Sequence, residues 1–315
     1  MAVIWIDRPF PELPEIVAAR HRHELVGPDD GSLSDADAVI VGATRWDAAM
    51  MDRAPRVRIL ARTGIGVDAV DLDEAARRGI AVTNTPDGPT VSTAEHTMAL
   101  LFGVAKTIPQ HQERLRRQTG GYVPASAAME LDGLTIGLLA YGRIARRVAV
   151  MASAIGMSVI AHDPFLTAIE ADDPAGTEWV SFDDLLGRSD VLSLHAPLTP
   201  DTAGLFGAET FASCKTGVLF INCARGGLVD HDALLDALRS GQVIGAGLDV
   251  TDPEPLPGDH PLLGADNVIV TPHVASSTVV GRGRMLTQAL EQVLIGLDGT
   301  TPPNTVNGVD LAAAP

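Results

Sequence analysis

The chain has 315 residues, 46% of them hydrophobic and 20% charged, with a formal net charge of −17. That length predicts about two domains with sizeable cores, and that charge repels phosphate backbones, which excludes nucleic acid as a partner. The two cysteines, Cys214 and Cys223, form neither a metal motif nor a disulfide framework, so no metal site is expected, and no apolar run reaches the length that spans a bilayer.

The opening MAVIWIDRP has no basic stretch ahead of a long apolar core, so it reads as a first strand rather than a signal peptide. A soluble cytoplasmic protein is expected. Strand signals near Ala2–Ile6, Ala38–Val41, Val57–Ala61 and Ile80–Val82 alternate with helical stretches near Glu12–His21, Ala48–Arg53 and Leu72–Arg78. The alternation predicts a small parallel α/β domain. Ser92-Thr93-Ala94-Glu95 has the form of a capping box, opening a long apolar helix over roughly Thr93–Lys106 that would connect two domains. Gly120–Glu130 reads as a loop.

Residues 134–163 then set out a strand–turn–helix–strand unit. An apolar run at Leu134–Leu139 leads into the turn Ala140-Tyr141-Gly142, a helix-period segment from Arg143 to about Ile155, and a second run at Met157–Ala161 that ends in His162-Asp163. An acid about 20 residues past such a turn is the Rossmann layout. Gly142 would let the backbone approach a pyrophosphate, whose charge is stabilised at a helix N-terminus, and Asp163 would accept hydrogen bonds from ribose hydroxyls. The glycine pattern reads Ala140-x-Gly142-x-x-Ala145, and alanine at its first position requires a turn that avoids positive φ. The Arg146-Arg147 pair is expected to point away from the ribose.

Beyond this unit the alternation resumes. Helices are predicted near Phe182–Leu186, Ala208–Phe211, Asp230–Arg239 and Val279–Leu297, and strands at Val191–Leu194, Val218–Ile221, Val243–Leu248 and Val268–Val270. Just past three of these strands stand Arg225, Glu254 and His273, where α/β folds place ligands.

The chain resembles the NAD-dependent D-2-hydroxyacid dehydrogenases from about Val57 onward. The resemblance rests on Arg62-Thr63-Gly64-Ile65-Gly66-Val67-Asp68, Asn84-Thr85-Pro86, Ala94-Glu95-His96, His195-Ala196-Pro197-Leu198-Thr199, Asn222-x-Ala224-Arg225-Gly226, Gly247-Leu248-Asp249-Val250, Glu254-Pro255 and Pro272-His273. It implies two doubly wound parallel-sheet domains. A flavodoxin-like substrate domain would comprise 1–97 plus 283–315, and a Rossmann NAD domain, 98–282, would be inserted in it. The active site would lie in the cleft, with closure excluding water, and the protein would form a homodimer.

The resemblance also implies roles. Arg225 would hold the substrate carboxylate and polarise the reacting oxygen, together with the backbone N–H groups of Ile65 and Gly66. His273 would give or take the proton, and Glu254 would orient its imidazole and stabilise the charged form. NAD would lie along Thr93, Gly142, Arg143, Ile144, Asp163, Pro164, His195, Ala196, Pro197, Thr202, Cys223, Ala224, Asp249, His273 and Ala275, with Asp249 and the backbone around Cys223 receiving the carboxamide. Cys223 reads as a packed thiol rather than a nucleophile.

A small 2-oxo or 2-hydroxy acid of the glyoxylate/hydroxypyruvate type is the expected substrate. Some phosphoglycerate dehydrogenases carry an arginine where this chain has Val41 and Gly42, with Arg45 and Trp46 close by. The chain ends soon after the last helix, so the appended regulatory domain of some phosphoglycerate dehydrogenases is expected to be absent. The alternatives are a 3-phosphoglycerate dehydrogenase and a dinucleotide-sensing binding protein on the same fold.

Overall fold

The computed structural model describes residues 1–7, 13–29, 31–42, 44–117, 127–166 and 173–313. Most of the loop expected at 120–130, and the start of the first expected helix, lie outside the described residues. Contacts divide the chain into two units, Met1–Pro89 with Ser277–Pro315, and Thr90–Ser276, against joins expected near 97 and 282.

The first unit is built on strands β1 (Val3–Ile6), β2 (Glu24–Val26), β3 (Ala38–Val41), β4 (Ile59–Arg62) and β5 (Ala81–Thr83), with helices α1 (Pro14–Arg20), α2 (Ala48–Asp52) and α3 (Leu72–Arg77) between them. The strands pair in parallel in the order β2-β1-β3-β4-β5, the flavodoxin-like order. Successive side chains of a strand face opposite ways. Trp5 of β1 accordingly packs with Val39, Trp46 and Leu60 on one face, while Ile4 and Ile6 pack with Ile40 and Ile59 on the other. The last long helix, Val279–Leu297, covers that second face with Leu286, Leu290 and Val293, all buried. Each such side chain contributes on the order of 1.5–3 kcal/mol. Beyond this helix the chain still pairs: Asn307 accepts from the N–H of Val82 at 3.0 Å and donates to the carbonyl of Ile80 at 2.8 Å.

The second unit opens with α4 (Thr90–Ala105) and α5 (Ile108–Arg116). It continues as β6 (Thr135–Leu139), α6 (Arg143–Ala154), β7 (Ser158–His162), β8 (Glu178–Trp179), α7 (Phe182–Arg188), β9 (Val191–Leu194), α8 (Ala208–Ser213), β10 (Val218–Asn222), α9 (His231–Ser240), β11 (Val243–Leu248) and β12 (Val268–Val270). Its parallel sheet runs β12-β11-β10-β9-β6-β7-β8. Counting from β6, this is the Rossmann order with one strand added, and the order reverses between β6 and β9.

Three expectations change. The connecting helix begins at Thr90, so Ser92 is no cap. It lies within the first turn, where it and Thr93 are buried, and packing extends the helix past the local start signal. The short strands β2 and β8 and the helix α5 carry too little apolar periodicity to be read from the sequence. Finally, Ala140 adopts φ +66°, contrary to the expectation that alanine keeps this turn out of positive φ. The Cβ there costs about 1–2 kcal/mol. Offsetting it, Ala140 donates its N–H to the carbonyl of His162 at 2.7 Å and Tyr141 donates its N–H to Asp163 Oδ2 at 3.0 Å.

Candidate active site

The strands β10, β11 and β12 are neighbours in the sheet, and the loops beyond their C-terminal ends carry Arg225, Glu254 and His273. Asn222, buried at the end of β10, shapes the first loop. Its side chain accepts the N–H of Ala224 and donates to the carbonyl of Arg225, both at 2.9 Å. The Arg225 Nη1 donates to the carbonyl of Ala224 at 2.6 Å. The following glycine is required by space: a Cβ on Gly226 would lie 2.1 Å from the carbonyl carbon of Thr251, so no larger residue lets these two loops approach.

His273 stands at φ +53°, a conformation histidine adopts more readily than most residues. Its Nδ1–H donates to Glu254 Oε1 at 2.5 Å. Both side chains are about two-fifths exposed, at 43% and 38%, and among the described residues Nε2 has no partner. Beside the pair opens a pocket of about 340 Å³ with Pro255, Leu256, Leu263, Val270 and Pro272 in its walls.

Asp249 holds the loop that carries His273. Its backbone carbonyl accepts the N–H of His273 at 2.7 Å. Its Oδ1 accepts from the Thr271 hydroxyl at 2.6 Å and the N–H of Val274 at 2.9 Å, and its Oδ2 accepts the N–H of Ala275 at 2.8 Å. Since the Thr271 hydroxyl donates to Asp249, it accepts from His96 Nε2, 3.0 Å away. Burial favours the neutral acid, but the hydrogen bonds from His96, Thr271, Val274 and Ala275 outweigh it and hold Asp249 below the usual carboxylate range. Asn222, Thr271 and His96 were not assigned roles from the sequence, although all three stand in or beside the quoted motifs. Their function is to shape loops, which only contacts reveal.

The turn between β6 and α6 lies where the strand order reverses, beside His195 at the end of β9. Gly142 has no side-chain cap, and no atom stands within 4 Å of where its Cβ would be. An uncapped helix start opened by a glycine with space around it fits a pyrophosphate. Asp163 accepts from Tyr141 through Oδ2 and from the N–H of Phe165 through Oδ1, the latter at 2.9 Å. Each carboxylate oxygen keeps a further lone pair for a ribose hydroxyl. Arg146 folds back over the Tyr141 ring, 5.0 Å from its centre.

Burial lowers His195 to about 4, so its ring stays neutral, with Nε2 3.0 Å from Ser193 Oγ. Burial also pushes the Cys223 thiol up to about 12. Thr202 braces its own loop by donating to the carbonyl of Pro197 at 2.7 Å, and Thr93 is buried in α4.

In the first unit, Gly64 extends the loop after β4. Its N–H donates to Thr85 Oγ1 at 2.7 Å, and Asn84 Nδ2 donates to the carbonyl of Ile65 at 2.9 Å. Among the described residues the N–H groups of Ile65 and Gly66 have no partner. After β3, the Asp7 carboxylate accepts the N–H groups of Gly42 and Thr44 at 2.6 and 3.3 Å.

Residues 98–275 match the family model described as D-isomer specific 2-hydroxyacid dehydrogenase, NAD binding domain. This chain belongs to that family. The D-isomer specific 2-hydroxyacid dehydrogenase relatives include a D-3-phosphoglycerate dehydrogenase of Mycobacterium leprae, 43% identical over 89% of this chain and 54% of its own length. They also include a glyoxylate reductase of Aeropyrum pernix, 40% identical over 87% of this chain and 83% of its own. The chain spans about half the length of the phosphoglycerate dehydrogenases it matches. A Thermus thermophilus protein of known crystal structure superposes with a TM-score of 0.88 at 38% identity, covering 96% of this chain and 99% of its own. The second unit is the family's NAD-binding domain, and no helix of the described residues is long and apolar enough to cross a membrane.

Proposed function

We propose that the chain is an oxidoreductase that moves a hydride between NAD(H) and a small D-2-hydroxy acid or its 2-oxo acid, of the glyoxylate/hydroxypyruvate type. The observation that carries the reading is the His273–Glu254 pair at 2.5 Å, with Nε2 of the imidazole left for a substrate. It stands in the same row of strand ends as Arg225. Arg225 binds the substrate carboxylate and polarises the reacting oxygen, a task suited to a planar fork of donors. His273 gives that oxygen a proton during reduction and takes it back during oxidation. Glu254 fixes the ring so that Nε2 is the nitrogen presented. In the first unit, which we take as the substrate-binding domain, the N–H groups of Ile65 and Gly66 offer two further donors for a carboxylate. The nicotinamide, when bound, supplies or accepts the hydride.

An unphosphorylated substrate is supported by the loop after β3. No arginine stands at Val41 or Gly42, and the N–H groups of Gly42 and Thr44 already bind a carboxylate, that of Asp7. The phosphoglycerate alternative draws on the names of several relatives. The free cysteines fit a cytoplasmic setting, and a homodimer, which the family resemblance implies, belongs to the same reading.

The deciding experiment follows NADH oxidation with glyoxylate, hydroxypyruvate, pyruvate, bulkier 2-oxo acids and 3-phosphohydroxypyruvate. Turnover of an unphosphorylated acid, abolished in His273→Ala, is expected. A strong preference for the phosphorylated compound selects the phosphoglycerate alternative. NADH binding without turnover of any acid selects a dinucleotide-sensing protein.

A further inference from the structure

The turn that opens α6 is held by contacts that no glycine motif contains. Tyr141, 1% exposed, donates its phenol O–H to Asp173 Oδ1 at 3.0 Å, and the phenol oxygen lies 2.6 Å from Thr177 Oγ1. Asp173 Oδ2 accepts the N–H of Thr177 at 2.9 Å, which closes the three groups into a ring. On its other side the tyrosine meets Arg146, which stacks 5.0 Å from the ring centre and donates Nε to the Tyr141 carbonyl at 3.3 Å. The tyrosine N–H goes to Asp163. One residue thereby joins the turn, the first turns of α6, the acid at the end of β7 and the segment that leads into β8. Burial pushes the phenol up to about 12, so it remains a neutral donor. Burial also opposes ionisation of Asp173, but hydrogen bonds from Thr177, Tyr141 and the N–H of Ala175 outweigh it and keep this acceptor charged.

The residue before Tyr141 is Ala140 at φ +66°. Glycine takes that conformation without cost and alanine does not. Released, the alanine would return to negative φ, rotating the peptide to Tyr141 and moving Gly142 away from the position that opens the helix N-terminus. We propose that Tyr141 is a positioning residue for the dinucleotide: its anchored phenol holds Ala140 in the left-handed turn and replaces the conformational freedom of a first glycine. This rests on the reading of the second unit as the NAD site. It adds that cofactor affinity depends on the contact of Tyr141 with Asp173 and Thr177.

The test is NADH affinity by fluorescence titration, with kcat at saturating NADH, for the unmodified chain, Tyr141→Phe, Asp173→Asn, Ala140→Gly and the double variant Ala140→Gly/Tyr141→Phe. Tyr141→Phe, which removes only the hydroxyl, is expected to weaken NADH binding about tenfold, or 1.4 kcal/mol. The kcat at saturation should stay within about twofold, since the phenol touches no reacting atom. Ala140→Gly in the same chain should restore most of the affinity, because glycine holds the turn unaided. Asp173→Asn should weaken binding by a smaller factor. Tyr141→Phe that binds NADH as tightly as the unmodified chain overturns the inference, even if its melting temperature falls. So does a loss that Ala140→Gly leaves unrepaired. An unmodified chain that binds no NADH would instead overturn the dinucleotide reading itself.

Discussion

Because Nδ1 of His273 is engaged by Glu254 at 2.5 Å, the proposed mechanism would pass a proton between enzyme and substrate through Nε2. Proton transfer would occur in the transition state, whereas the proposed contact of Arg225 with a carboxylate would exist before and during transfer. His273→Ala should therefore lower kcat by about a hundredfold or more with little change in NADH affinity. Arg225→Ala should raise KM and lower kcat together. Steady-state kinetics with an accepted 2-oxo acid checks both, and near-normal kcat in His273→Ala would remove the histidine from the mechanism. Cys223, beside Arg225 in sequence, is set apart by burial, which pushes its thiol up to about 12. At pH 8 such a thiol stays protonated and unreactive. Iodoacetamide at that pH should leave activity intact, with inactivation accelerating only as the pH approaches that of the thiol. Rapid loss of activity at pH 8 would show an activated cysteine.

At the level of the element, the segment from Thr271 to Ala275 is an irregular loop with a left-handed histidine at its centre, and four of its groups bond to Asp249. Three of those bonds go to the carboxylate and are strongest while it is charged. The carboxyl of Asp249 is held below its ordinary value of 3.8. The stability it contributes is therefore fully present above that value and is lost as pH falls through the lowered one. Asp249→Asn places an amide opposite backbone donors. It should cost about 1.5–3 kcal/mol at neutral pH and should flatten the acid limb of the stability profile. Denaturant unfolding between about pH 3 and 7 measures this, and an unchanged limb in the variant would mean that another group governs it. The same loop explains why Thr271 and His96 received no role from the sequence. A threonine before Pro-His and a histidine in an apolar helix have no period or spacing that announces a shared hydrogen-bond path.

For the molecule as a whole, ligand binding to one unit appears as resistance to heat. A ligand at a hundredfold excess over its Kd adds about 2.7 kcal/mol to the folded state. Saturating NADH should raise the melting temperature, and NADPH at equal concentration should raise it less, because Asp163 in its proposed place at the ribose would repel a 2′-phosphate. Equal shifts would defeat the assignment of Asp163. Most strands and helices of both units were legible in the sequence, β2, β8 and α5 excepted, because burial on both faces of a parallel sheet demands continuous apolar runs and the covering helices demand a 3.6-residue period. Arg225, Glu254 and His273 were legible too, as charged groups just beyond such runs. The backbone of Ala140 was not: local preference disfavours positive φ, and the turn is held against it by tertiary contacts, those with His162, 22 residues on, and with Asp163 among them. Nor were the partners of Asp249 and Tyr141. Strand order brings Asp249 to Thr271 and Tyr141 to Asp173, and hydrogen bonds between residues far apart in the chain leave no periodic trace in it. Sequence alone determined most of the elements and which residue types stand at their ends, because both depend on local composition. Tertiary structure alone decided how the loops at those ends are held.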